Sequence, residues 1–190
     1  DKAFKDKLTL LEIILPNRLE SIGSEAFSGC VALSDKIILP ETVTSIGISA
    51  FENCKSMSAI SLSIGLTSIG NSAFKNCISL GEIYMPNTIT SIGSEAYYGC
   101  INLVAAALPT TLTSISDGLF NGCKKLADFD YPTAITTIGN SAFYGCSSLK
   151  IVDLSECRLL TSIGNSAFDG CSKIETINFP TSLTSIGIST

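Results

Sequence analysis

Two sets of residues in this 190-residue sequence have the types and spacing to do chemistry. The first is a series of thiols, Cys30, Cys54, Cys77, Cys100, Cys123, Cys146 and Cys171, with Cys157 outside the series. Evenly spaced cysteines can pair as disulfides or gather a metal. The second set is a trio of carboxylates, Asp128, Asp130 and Asp153. Such a trio can steer a basic partner or offer oxygen ligands to Ca²⁺. What is missing bounds this chemistry. The chain has no His and no Trp, which excludes Ser-His-Asp and Cys-His catalysis and His-containing zinc sites. It also lacks a C-x-x-C pair, a phosphate-cradling Gly-rich loop and a nucleophile motif. Three carboxylates on a flat sheet make a poor cage for an ion that takes 6–8 oxygens, so no metal site is expected. Asp128 and Asp130 are strand neighbours on an open face, without a pocket to perturb them, and the chain is expected not to be an enzyme.

Composition narrows the partners. Hydrophobic residues make up 45% of the chain and charged residues only 15%, which excludes a disordered chain. Ser and Thr number 44, so much of the polar surface is neutral hydroxyl. A net charge of −5 argues against a nucleic-acid or anionic-membrane partner, both of which need a basic face. No apolar run approaches the ~20 residues of a membrane span, and no signal-peptide pattern occurs.

The elements that position these residues come from an internal repeat. The word Ser-Ile-Gly recurs, with Gly at 23, 47, 70, 93, 139, 164 and 187 and Ser116 filling the one gap, in steps of 23 to 25 residues. The full unit reads L-x-x-I-x-L-P-x-x-L-T-S-I-G-x-x-A-F-x-x-C-x-x. Its aromatic position holds Phe27, Phe51, Phe74, Tyr97, Phe120, Phe143 and Phe168. One such unit is too short to bury a core, whereas stacked units can. The alternation in L-x-x-I-x-L predicts a strand, ended by the Pro that follows in six units. The β-branched T-S-I-G word predicts a second short strand on the opposite side, its Gly permitting a turn with positive φ. The x-x-A-F-x-x-C word predicts a single helical or 3₁₀ turn. Both ends cut through a repeat, so the 1–190 region is expected to be one solenoid within a longer array.

The words L-x-x-I-x-L-P, L-T-S-I-G and A-F-x-x-C, over essentially the whole chain, resemble those of the BspA-like, or Treponema pallidum-type, leucine-rich repeats. The resemblance implies an α/β repeat solenoid. It is expected to be a right-handed coil of about eight 23-residue repeats, with a parallel β-sheet on the concave face and second strands and helical turns on the other. It also implies a surface or secreted protein that adheres to host matrix proteins or to other cells.

Within that frame the seven series thiols are expected to form a column of buried, reduced side chains rather than disulfides, because side chains in a stack point the same way. Cys157 lies in a two-residue insertion between Leu154 and Leu160, where both an exposed free thiol and a structural role are open. The aromatic column is expected to stack in the core. The Ser column at 21, 45, 68, 91, 114, 162 and 185 suits a hydroxyl ladder.

A ligand is expected on the outward strand positions, which vary while the core repeats. The inner column reads Ile14, Ile38, Ser61, Tyr84, Ala107, Asp130, Asp153, Asn178 and the outer one Glu12, Lys36, Ala59, Glu82, Ala105, Asp128, Ile151, Thr176. The candidate protein-binding residues are Glu82, Tyr84, Ala107, Asp128, Asp130 and Asp153, with Tyr84 the only aromatic in either column and an interface anchor by type. The expected function is non-catalytic protein binding as part of a cell-surface or secreted adhesin that contacts matrix or cell-surface proteins. An intracellular scaffold, which reduced thiols suit, and a structural spacer are the alternatives. No cofactor and no nucleic acid are expected, and the open ends of a solenoid invite end-to-end self-association.

Overall fold

The computed structural model describes residues 1–190. Each repeat folds as one turn of a parallel β-solenoid, and the chain makes about seven turns. The T-S-I-G words form β1 (Ser21–Ile22), β3 (Ser45–Ile46), β5 (Ser68–Ile69), β7 (Ser91–Ile92), β9 (Ser114–Ile115), β11 (Thr137–Ile138), β13 (Ser162–Ile163) and β15 (Ser185–Ile186). The L-x-x-I-x-L words form β2 (Ile37–Ile38), β4 (Ile60–Ser61), β6 (Glu82–Tyr84), β8 (Ala105–Ala107), β10 (Asp128–Asp130), β12 (Ile151–Asp153) and β14 (Thr176–Asn178). The expected count of about eight coils is high by one, since Leu10–Leu15 matches the strand word but forms no strand.

The chain contains no helix, which corrects the expected helical turns and the α/β class. The A-F-x-x-C word fails to become helical because every second N–H is used elsewhere. Around Phe27, the amides of Ala26, Ser28 and Cys30 donate to the carbonyls of Gly23, Glu25 and Phe27, three residues back. The alternate amides of Glu25, Phe27 and Gly29 donate to Ile48, Ala50 and Glu52 of the next coil. An α-helix would need all of them for i→i−4 bonds. The alternation demands left-handed residues at two positions per turn, here Glu25 (φ 54) and Gly29 (φ 77). Further along the same two columns stand Ser49, Asn53, Ser72, Asn76 and Gly118, all with positive φ.

The Gly of the Ser-Ile-Gly word has a different role from the one its spacing suggests. None of these seven glycines has positive φ. They permit close approach: a Cβ on Gly70 would lie 2.7 Å from the Gly47 carbonyl carbon and 2.7 Å from the Ile48 nitrogen. From Gly47 onward the amide of each then reaches the preceding coil, as Gly70 does to Ile46 and Gly139 to Ile115. Ser116 tests this arrangement naturally. Its Oγ, instead of its amide, donates to the Ile92 carbonyl. At that coil the ladder parts into β1-β3-β5-β7 and β9-β11-β13-β15.

The interior is one continuous apolar cluster of 51 buried residues. Its spine is a stack of rings from Phe4 to Phe168 with successive centroids 5.2–5.7 Å apart. Contacts of that geometry add to the area buried by each ring. Tyr97 stands in the stack where other coils have Phe, and its hydroxyl is buried without a partner.

Candidate functional site

The strand face departs from the regularity of the core. Its strands pair in three separate groups, β2-β4, β6-β8-β10 and β12-β14. Outward residues alternate with buried ones, as a period of two requires: Glu82 and Tyr84 are exposed around buried Ile83, and Ile151 and Asp153 around buried Val152.

Three zones follow one another along the axis. At the amino-terminal end Ile14 is 88% exposed and Ile38 67% exposed. Next comes Tyr84, 66% exposed, on the same sheet as the small side chains Ala105 and Ala107. Glu82 lies two residues back on the same strand face and accepts a 2.9 Å hydrogen bond from the Tyr84 hydroxyl. That bond raises the phenol pKa, with the Glu82 charge adding to it. The ring is thus tethered through a hydroxyl that is already satisfied, and most of its surface stays open to a ligand.

The third zone lies where β10 and β12 fail to pair. Elsewhere on this face the Met85 amide reaches the Ala107 carbonyl and the Leu154 amide reaches that of Asn178, but no such bond runs from Tyr131 to Asp153. The physical cause is bulk. Phe129 occupies a position that is Ile, Val or Ala in the other coils, and Tyr131 a position that is mostly Leu. Phe129 meets Phe120, Phe143 and Tyr131 edge to face, at 4.8–5.3 Å. Small Ala106 opposite it in register makes room on one side only. The split leaves a groove lined by Ala127, Asp128, Phe129, Asp130, Lys150, Ile151 and Asp153.

The structure therefore puts Asp128, Asp130 and Asp153 on one groove and places Glu82, Tyr84 and Ala107 together on the sheet β6-β8. It adds two residues that the column reading missed, Phe129 and Lys150. The signal for Phe129 was present, as the one aromatic in the central column of the strand word. Asp153 accepts a 3.1 Å bond from the Ser155 amide, and its bonds to Ser155 hold its pKa below the ordinary aspartate value. No three carboxylates or thiols converge closely enough to hold a metal ion.

The thiol series is a structural column. All eight cysteines are buried and free. In each coil the Sγ donates to the carbonyl of the aromatic residue one coil back, from Cys30 to Phe4 through Cys171 to Phe143, at 3.0–3.2 Å. Each such carbonyl from Phe27 to Phe143 also accepts the amide of its own coil's Cys, so the thiol fills the second lone pair. Burial pushes the Cys54 and Cys100 thiols up to about 12, which removes nucleophilic character at neutral pH. Cys157 is buried too, with its Sγ near the Pro132 carbonyl, which settles it as structural rather than an exposed thiol.

The hydroxyl ladder runs through a different column from the one expected. Thr44, Thr67, Thr90, Thr136, Thr161 and Thr184 donate to carbonyls of the preceding coil, whereas the Ser column beside them makes no such bonds.

Comparison with known proteins agrees with this geometry. The family model described as BspA type Leucine rich repeat region (6 copies) matches residues 1–126 and again 67–190. Among solved structures, the T. pallidum leucine rich repeat protein is 34% identical over 78% of this chain and 69% of its own, with a TM-score of 0.73. A leucine-rich repeat protein from Bacteroides ovatus is 25% identical over 100% of this chain and 66% of its own, at a TM-score of 0.68. A leucine rich cell surface protein from Faecalibacterium prausnitzii shares the fold, at 22% identity over 87% of this chain and 58% of its own, with a TM-score of 0.53. No curated protein matches the chain.

Proposed function

The chain belongs to the BspA-type leucine-rich repeat family, and from that premise we propose that it is a non-catalytic protein-binding module that meets its ligand through the strand face. The observation that carries this reading is the contrast between columns. The Phe, Cys, Thr and Gly columns are consumed by contacts between coils. The outward strand columns differ from coil to coil and carry exposed Ile14, Ile38 and Tyr84. Exposed apolar side chains gathered on one face mark interaction sites, and an anchored Tyr suits the centre of one.

We infer further that the module serves a cell-surface or secreted adhesin, touching matrix or other cell-surface proteins through the concave side. The family resemblance supports this placement. The thiol column is compatible with an oxidising compartment, because each sulfur is buried and occupied by a carbonyl.

The test is surface-plasmon binding of the chain to fibronectin, fibrinogen, laminin and collagen, alongside Tyr84→Ala. Saturable binding that falls at least about tenfold in the variant, a loss of ~1.4 kcal/mol, supports the reading. Binding that the variant leaves unchanged moves the site off this face.

A further inference from the structure

The groove between β10 and β12 has features that the strand face does not share elsewhere. We propose that it receives the guanidinium of a partner protein's arginine, borne on an extended segment whose apolar side chains lie over Tyr84 and Ile38. This rests on the reading that the strand face binds protein and names the chemistry of the segment bound.

Charge comes first. Asp128, Asp130 and Asp153 line the groove against one cation, Lys150. The ion pairs of the chain are Lys2 and Lys5 with Glu25, Lys75 with Glu95, and Arg158 with Glu156. The three aspartates belong to none of them. A guanidinium presents five donors in a planar fork suited to carboxylate oxygens on more than one side.

Shape comes second. The groove encloses about 260 Å³. That is below the roughly 300–1,000 Å³ of a site for a free small molecule, and it suits a single long side chain. Half-buried Phe129 and exposed Ile151 supply apolar walls for the methylene stem, and an aromatic ring attracts a guanidinium further.

Spacing comes third. Asp130 pairs in register with Ala107, and Ala107 with Tyr84, so two strand spacings separate the groove from the ring. At ~4.8 Å per strand this is about 10 Å, the reach of three residues of a polyproline II segment at ~3.1 Å each, a conformation that returns every third side chain to the same face. Ile38 lies two coils beyond Tyr84 in the same column, so a further three residues reach it. The segment that fits has the pattern Φ-x-x-Φ-x-x-Arg, running along the solenoid axis across the strands. Exposed Ile and Tyr at one end and carboxylates at the other also fix its direction.

The test uses a fluorescein-labelled peptide, SLSSFSSRS, in an anisotropy titration of the whole chain. Its partner probe replaces the Arg by citrulline, which keeps the shape and removes the charge. The expected result is saturable binding, weakened at least tenfold by citrulline and at least tenfold by Asp128→Asn with Asp130→Asn. Equal binding of the two peptides, or no saturable binding, overturns the proposal. The same double variant is then run against the matrix panel. Matrix binding lost in Tyr84→Ala but kept in the aspartate variant leaves the strand-face reading standing and overturns the arginine groove. Peptide binding lost in the aspartate variant, with no matrix binding, leaves the groove and the strand face standing and overturns only the matrix proteins as ligands. The substituted aspartates are exposed, and thermal melts of the variants that match the parent confirm that folding is intact.

Discussion

The turn side and the strand side of each coil are built by the same 23-residue unit, yet they differ in continuity. On the turn side, rings stack without a break from Phe4 to Phe168, and every thiol of the series reaches the coil before it. On the strand side the sheet is cut twice, between β4 and β6 and between β10 and β12. The difference follows the sequence. The ring and thiol columns keep one shape from coil to coil, and each neighbour of like size fits against the last. At the second cut the column changes size, from Phe129 to Val152, while small Ala106 on the other side still lets β8 and β10 pair. Stability is thus concentrated on one side, and freedom to vary on the other.

The sharpest way to break this comparison is alkali, because the buried thiols lie on the turn side. Burial holds the folded pKa values of Cys30, Cys54, Cys77, Cys100 and Cys123 above the unfolded value of 9.0, at about 12 for Cys54 and Cys100, while a hydrogen bond with Cys146 lowers that of Cys171. A raised pKa means that stability is full below about pH 9 and drains as pH climbs toward 12, where only the unfolded state ionises freely. Each fully buried thiol contributes a slope of up to about 1.4 kcal/mol per pH unit. Several together are comparable with the 5–15 kcal/mol typical of a domain, so unfolding is expected within that window. A urea midpoint that stays level from about pH 8 to about pH 11 would break the account.

Next in size is Phe74→Ala, which opens a cavity in the middle of the ring stack and is expected to cost about 3–5 kcal/mol by urea unfolding. Tyr84→Ala, on the strand side, should stay within about 0.5 kcal/mol. Similar losses for the two would erase the distinction between the sides.

Smaller effects sharpen it. Tyr97→Phe removes a buried hydroxyl that has no partner and makes that coil like its neighbours, so it should stabilise by about 1 kcal/mol. A decrease in melting temperature would contradict this. Ser116→Gly should let β7 pair with β9. The expected readout is hydrogen exchange at the amides of positions 113 and 116, slowed about fivefold for a gain of ~1 kcal/mol. Unchanged exchange would show that something other than the Ser116 Cβ holds those coils apart.

Most of the architecture is legible in the residues. Spacing alone identifies the coil, both strand words, the aromatic stack and the thiol column, because a strict repeat leaves each position one environment. Two local features were not legible in the same way. The A-F-x-x-C word has helical spacing, but its alternate amides bond to a coil 23 residues on, a competition invisible within one unit. The Ser-Ile-Gly glycine suggests a turn, yet its role is to leave room for a backbone it meets only after stacking. At the candidate site, the outward columns placed Tyr84 and the aspartates on one face. The groove depends on Phe129 prising β10 from β12, an effect of volume across coils rather than of residue type at one position.

The bonds from each turn amide to the next coil also set how this protein reaches its fold. Glu25 to Ile48, Ser49 to Asn71 and Ser72 to Ser94 all close loops of nearly one length, 22 or 23 residues. Closing such a loop costs roughly 3 kcal/mol of chain entropy beyond a constant, by the (3/2)RT ln n rule. That cost is the same at the first coil and at the last, however many coils precede it. Folding can therefore start wherever one pair of coils first docks and then spread by equal steps in both directions. A chain with twice as many repeats would have half the relative contact order, and the barrier to its first step would be no higher.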